Sequence, residues 1–249
     1  MRFLGLSIHS KVLDAKTIWL FKDTLTQSGV IEKLFRQFEK ELEWKGIITR
    51  RSTIVDATFV DAPRQRNSRD ENKTIKNGET PEEWKENPHK IAQKDTDARW
   101  TKKGEEVHFG YKDHAKVDAD SKIITDYTVT PANVHDNNAF ADMLDENDNV
   151  VYADSAYVGK ELPGHIESRV CEKGYRGRPL TDEQKESNRI KSKTRCRIER
   201  VFGYMTVSMH GLTLRSVGIK RAEFNIGLTN LVYNICRYSI LKREGCVTG

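Results

Sequence analysis

The chain has 249 residues, 37% of them hydrophobic and 32% charged, with a net charge of +5. That length supplies a sizeable core and suits one main domain with an appendage, or two small domains. No run approaches the roughly 18–20 apolar residues of a membrane span. The N-terminal residues Met1–Leu6 lack the longer apolar core and cleavage site of a signal peptide. The four cysteines (Cys171, Cys196, Cys236, Cys246) form no CxxC pair, which argues for free thiols in a reducing cytoplasm and against a zinc site.

Charge is unevenly spread. Residues 1–50 carry nine basic and six acidic side chains, residues 51–159 carry 15 and 22, and residues 160–249 carry 18 and nine. A basic C-terminal third beside an acidic middle fits a protein that grips a polyanion with one part and holds cations with another. A solvated basic helix accounts for the charge equally well.

In chain order, Asp14 reads as an N-cap, followed by Ile18, Phe21 and Leu25 at helical spacing and a break at Gly29. Ile31, Leu34, Phe35, Phe38 and Leu42 mark a second helix, closed by Gly46. Residues 1–50 are therefore expected to be a small, partial N-terminal helical segment. Thr53–Val60 reads as a strand, and residues 61–106 as a long polar insertion with little regular structure. Val107–Val117 and Ile123–Thr130 read as a hairpin, Asn133–Leu144 as a helix capped by Asn133 or Asp136, and Val150–Asp154 and Ile166–Cys171 as strands. Thr181 and Gln184 have capping-box spacing and open a helix whose Ile198, Val201, Phe202 and Met205 form one apolar face, closed by Gly211. A last helix spans Ala222–Leu241, with Leu228, Leu231, Val232 and Ile235 as its expected core stripe.

Three carboxylates stand out in this layout. Asp56 lies inside the apolar run Ile54–Val60, Asp154 follows Val150–Ala153, and Glu199 sits on the basic helix around Arg195–Gly203. A carboxylate in an apolar strand is costly unless paired, protonated or bound to a metal. If the two strands are neighbours, both Asp residues meet at one sheet position. Such a set suits hard divalent cations and phosphoryl transfer on a nucleic acid. Arg195, one turn before Glu199, is placed to orient it or touch a phosphate; the plain alternative is an i, i+4 ion pair.

The segments IVDATFVDAP (54–63), WTKKGEEVHFGYKDHAKVD (100–118), TPANVHD (130–136), VYADSAY (151–157), KGYRGRP (173–179), RCRIERVFG (195–203) and LTNLVYNICRY (228–238) resemble, in order and spacing, the DDE transposases of bacterial insertion sequences of the insertion-sequence-five type. The resemblance runs from about Phe3 to Leu241. It implies an RNase H-like α/β fold, a mixed sheet flanked by helices, over residues 51–249. It implies cleavage of double-stranded DNA at the terminal inverted repeats and strand transfer into target DNA. It further implies two Mg²⁺ ions (Mn²⁺ substituting) and a homodimer in the synaptic complex. The family's two Asp and one Glu fall on Asp56, Asp154 and Glu199.

Three departures qualify the match. Fewer residues precede the first strand than is usual, which leaves open a truncated copy that binds DNA or a partner and inhibits transposition. Ser192 and Thr206 stand where related groups carry Tyr and Lys, and Gly159–Arg169 is short. A general metal nuclease of the same fold is a third reading.

Other residues carry weaker signals. Lys173, Arg176, Arg178, Arg189, Lys191, Lys193, Arg197 and Arg200 are candidate phosphate contacts, each weighed against an ordinary solvated charge. His108 and His114 share a strand face and are expected at the strand surface. His135 and Asp136 are expected to cap a turn or helix, and Asp118 and Asp120 to form a turn. Trp84 and Trp100 are expected to anchor the insertion rather than stack on bases. Asp61, five residues beyond Asp56, faces the opposite side of its strand and is excluded from the site.

Overall fold

The computed structural model describes residues 7, 12–63, 66–159 and 161–245. Asp14 caps the first helix, α1 (Ala15–Ser28), its carboxylate accepting from Thr17 N–H, and the left-handed Gly29 turns the chain into α2 (Val30–Trp44). Strands β1 (Thr53–Asp61), β2 (Arg99–Lys103), β3 (Glu106–Asp118), β4 (Ile124–Pro131), β5 (Val150–Ala153) and β6 (Glu167–Val170) form one mixed sheet. Its order is β2-β3-β1-β5-β6, with β4 paired to β3. This is the expected RNase H-like α/β architecture. The central strand β1 runs antiparallel to β3 and parallel to β5.

Alternation along β1 divides the core. Ile54 and Val60 face α7 (Asp182–Val207) and α8 (Ile219–Arg243), packing with Ile198, Val201, Met205 and Ile226. Val55 faces the other layer, with Phe140 of α6 (Asp136–Phe140), Met143, Val151 and Tyr157. Thr181 and Gln184 form the expected capping box at the start of α7.

The insertion departs from expectation. It holds α3 (Arg69–Lys76), the single turns α4 (Glu82–Lys85) and α5 (Pro88–Ile91), and strand β2. Trp84 is fully buried and donates to Glu71, while the Trp100 indole donates to Asn67 C=O. Two aromatic anchors and a capping box at Ser68 order a segment whose polar composition concealed them. β2 makes the Glu167–Val170 strand the sixth rather than the fifth.

His135 caps α6, as expected, while the alternatives Asn133 and Asp136 do not, and the helix is a single turn followed by 3₁₀ residues Ala141–Met143. Helix α7 ends at Val207, before Gly211. On α8, Val232 and Ile235 are exposed, and the buried face includes Ala222, Ile226, Asn230, Leu231, Tyr233, Asn234 and Leu241. Asn234 donates to Ile124 C=O and accepts from Ile124 N–H, giving the β4 backbone the partners it would otherwise lack. Hydrophobic spacing cannot reveal a core stripe built on asparagine.

His114 is buried rather than at the strand surface, its Nε2 paired with the Thr130 hydroxyl at 2.9 Å. Burial, with Lys112 adding, pushes its pKa down to about 4. Next to it, Asp113 faces the opposite layer, where Asn230 Nδ2 lies 3.3 Å from its Oδ1, and burial pushes its pKa up to about 7. Asp113 Oδ2 and Asn230 Oδ1 have no donor, a lack that a proton on the acid can relieve.

The two groups titrate with opposite sign. Asp113 has a folded pKa above the unfolded value of 3.8, so its contribution is complete below that value and is lost as pH rises towards 7. His114 has a folded pKa below the unfolded 6.5, so its contribution is complete above that value and is lost as pH falls towards 4. In urea unfolding across this window, Asp113→Asn is expected to gain stability relative to the parent as pH rises, by up to about 1.4 kcal/mol per pH unit. Parallel curves for variant and parent would exclude a buried, titrating Asp113.

Candidate active site

The parallel register of β1 and β5 sets Val55 beside Ala153, so Asp56 and Asp154 follow one another at adjacent strand positions. Each carboxylate is fixed by the next peptide: Asp56 Oδ1 accepts from Ala57 N–H at 2.8 Å, and Asp154 Oδ1 from Ser155 N–H at 2.6 Å. Burial raises the Asp56 pKa; the Ala57 N–H and the charges of Arg195 and Lys103 pull it back, and the charge of Asp154 adds to the rise.

The third carboxylate arrives on α7. The N-terminal half of this helix is pinned to the exit of β6. Asn188 exchanges two hydrogen bonds with the Glu172 backbone, and Lys191 Nζ donates to Val170 C=O at 3.0 Å. Farther along, Ile198 and Phe202 enter the core, which turns Arg195 and Glu199 towards β1. Arg195 Nη1 lies 3.2 Å from Asp56 Oδ2 and Nη2 lies 2.9 Å from Glu199 Oε1. The guanidinium thus links strand to helix. Burial acts to lower its pKa, but the charges of Asp56, Glu199 and Asp154 outweigh this and raise it. One cation therefore feels all three sequence-predicted carboxylates.

The donor chemistry fits a hard divalent cation, being all carboxylate oxygen. In the present side-chain positions Asp56 and Glu199 meet on Arg195. Among the described residues no three His, Cys, Asp or Glu side chains converge closely enough to hold one ion.

The candidate phosphate contacts differ in setting. Lys173, Arg176, Arg178 and Lys193 are exposed. Arg189 is paired with Glu186, and the Lys191 ammonium is engaged by Val170 and Glu172. Arg197 donates to Ala119 C=O and lies 3.6 Å from Asp120, while Arg200 is exposed beside Lys122. The sequence reading overlooked Tyr157. It lies three residues after Asp154 on a 3₁₀ turn, a spacing that returns it to the same side. Its buried hydroxyl has no hydrogen-bond partner; burial raises its pKa, and the charges of Asp56, Asp136 and Asp154 add to the rise. Also overlooked was Lys112, whose Nζ donates to Asp136 at 2.6 Å and to Val134 C=O. As expected, Asp61 stands apart from the carboxylates, near His108.

The family profile of the transposase DDE domain matches residues 48–235. The chain belongs to the DDE transposase family. It is thus a polynucleotidyl transferase of a family that acts on DNA and uses divalent metal ions, generally Mg²⁺. The matched span covers the whole sheet, α7 and most of α8, while α1 and α2 precede it. No solved structure matches the chain.

Two of the lysines on α7, Lys191 and Lys193, separate support from binding. Lys191→Ala is expected to cost roughly 1–2 kcal/mol in urea unfolding, through loss of a charge-assisted hydrogen bond. Lys193→Ala is expected to stay within about 0.5 kcal/mol of the parent. Equal effects would contradict the strut role of Lys191.

Proposed function

We propose that this transposase, of the insertion-sequence-five type, nicks double-stranded DNA at its element's terminal inverted repeats and joins the freed 3′ ends to target DNA. The observation that carries this reading is the coupling of Arg195 to Asp56 within β1, Asp154 just after the parallel strand β5, and Glu199 on α7. Asp56, Asp154 and Glu199 would hold two Mg²⁺ ions, with Mn²⁺ as a substitute. When bound, these would activate the attacking oxygen and stabilise the leaving one.

The residues' own parts follow from their settings. The Ala57 and Ser155 N–H groups orient Asp56 and Asp154 so that their second oxygens face the site. For Glu199 to join them, Arg195 must release at least one carboxylate. Its guanidinium is then placed to pair with the scissile phosphate, matching two donors to two phosphate oxygens. In the first step a water oxygen bonds to phosphorus, the bond to the 3′ oxygen breaks, and the leaving oxygen takes a proton. In the second, that 3′ hydroxyl attacks a target phosphodiester, losing its proton while the target's own 3′ oxygen departs.

Lys173, Arg176 and Arg178, exposed before α7, and Lys193, exposed along it, suit backbone phosphates. A groove of about 370 Å³ lined by Tyr157, Lys173 and Tyr175 lies beside Asp154 and offers a path for the strand. Two copies would pair two element ends in a synaptic complex, in the cytoplasm. No helix among the described residues is long and apolar enough to cross a membrane.

The test is nicking of labelled DNA carrying the element's terminal repeats, with Mg²⁺. Asp56→Asn, Asp154→Asn and Glu199→Gln are each expected to lower the rate by on the order of 10²–10³ or more while leaving the chain folded by circular dichroism. Unimpaired nicking by any folded member of this set would remove that residue from the site.

A further inference from the structure

A second basic centre lies on the far side of Glu199. The β3–β4 turn lifts Lys122 into a left-handed conformation, with φ of 62°. Two side chains of α8 hold that turn in place: Arg237 Nε donates to Ser121 C=O at 2.8 Å, and the Tyr233 hydroxyl donates to Lys122 C=O at 3.0 Å. On the α7 side, Arg197 grips Ala119 C=O at 2.7 Å. Between the turn and the two helices opens a hollow of about 130 Å³, lined by Lys122, Arg200, Tyr204, Tyr233, Arg237 and Ile240. Tyr204 and Tyr233 meet edge to face in its wall, with ring centroids 5.8 Å apart.

Arg237 and Arg197 brace the turn, whereas Arg200 and the Lys122 ammonium stand at the same hollow beside them. Partial burial lowers the Lys122 pKa, and the charges of Arg237, Arg200 and Arg197 lower it further, with Glu244 opposing. Asp120, 3.6 Å from Arg197, is the other acid at this place. Four cations against two carboxylates leave an excess of positive charge around a walled hollow of roughly one phosphate group's size. Mutual repulsion of this kind is relieved by an anion.

We propose that Lys122, Arg200 and Arg237 form an anchoring site for a backbone phosphate of duplex DNA, separate from the carboxylates. The tyrosine wall would supply a face for the sugar. Arg200 directly follows Glu199 on α7, so a duplex held here remains on the helix that carries the catalytic carboxylate. This rests on the reading of the chain as an enzyme acting on DNA.

The experiment is anisotropy of a labelled duplex bound by the full chain, with chelator present so that binding is read without cleavage. Salt is varied from about 50 to about 200 mM. The variants are Arg200→Ala, Lys122→Asn and the double; Asn tolerates the left-handed backbone at position 122. Each single variant is expected to weaken binding uniformly across sequences and to reduce the slope of log K against log salt, the double by about 0.9 for the loss of one phosphate contact. Thermal unfolding with added inorganic phosphate identifies a small-anion site. Phosphate protection lost in the variants, with DNA slopes unchanged, overturns the proposal, as do unchanged slopes alone. Reduced slopes in a chain that never nicks its element's ends support the anchor and sink the transposition reading. A parent chain without affinity for duplex DNA sinks both.

Discussion

Val55 opposite Ala153 is the register on which the rest of the site depends. A strand's side chains alternate, so a slip of one residue would turn Asp56 from the α7 layer to the α6 layer. The register is held from both edges of β1. On the β3 side nine residues pair in an unbroken antiparallel ladder, and on the β5 side three pair in parallel. Thr53 adds a hydroxyl bond to Asp148 at 2.8 Å, just before β5. Asp148 in turn receives Lys116 of β3 at 3.0 Å, so the three strands share a buried polar tie at the end away from the carboxylates. Removing one member would leave a buried charge unpaired, the costlier way to break such a tie.

Placement of Glu199 is a separate problem, solved by α7. This 26-residue helix is fixed at one end by Asn188 and Lys191 on the β6 exit, and along its middle by Ile198, Val201 and Phe202 in the core. Arg195 then links it to Asp56. The same guanidinium that compensates the carboxylates is, in the proposed reaction, the group that must move for them to converge. Helix and strand are therefore coupled through a contact that ligand binding would break, which makes it a natural point of control.

Gly110 supplies a different constraint. A Cβ there would lie 2.2 Å from Val60 C=O, closer than any side chain tolerates. In a flat ladder His108 would lie about 13 Å beyond Lys112, the partner of Phe59. Instead His108 stacks on Phe59 with centroids 4.1 Å apart. The β2–β3 hairpin therefore folds back over the sheet at Gly110, which is how Lys103, near its tip, brings its charge to bear on Asp56.

Local spacing alone marked out the strands around Asp56 and Asp154, the capping box of α7 and the helical hairpin before the sheet, and it singled out the three carboxylates that act on Arg195. These were legible because each rests on local spacing: period two in strands, period 3.6 in α7, and caps at fixed offsets. The tertiary structure alone decided the rest. It placed Arg195 between Asp56 and Glu199, buried His114 and Asp113, and buried Tyr157 where the charges of Asp56 and Asp154 reach it. It also turned Lys191 into a strut and ordered the insertion around Trp84. It built the α8 core face on Asn230 and Asn234 where hydrophobic spacing pointed to Val232 and Ile235. Apart from Tyr157, whose hydroxyl is unpaired, a polar or charged side chain in these cases finds a partner distant in sequence. The benefit of that partner appears only once the chain has closed around both groups.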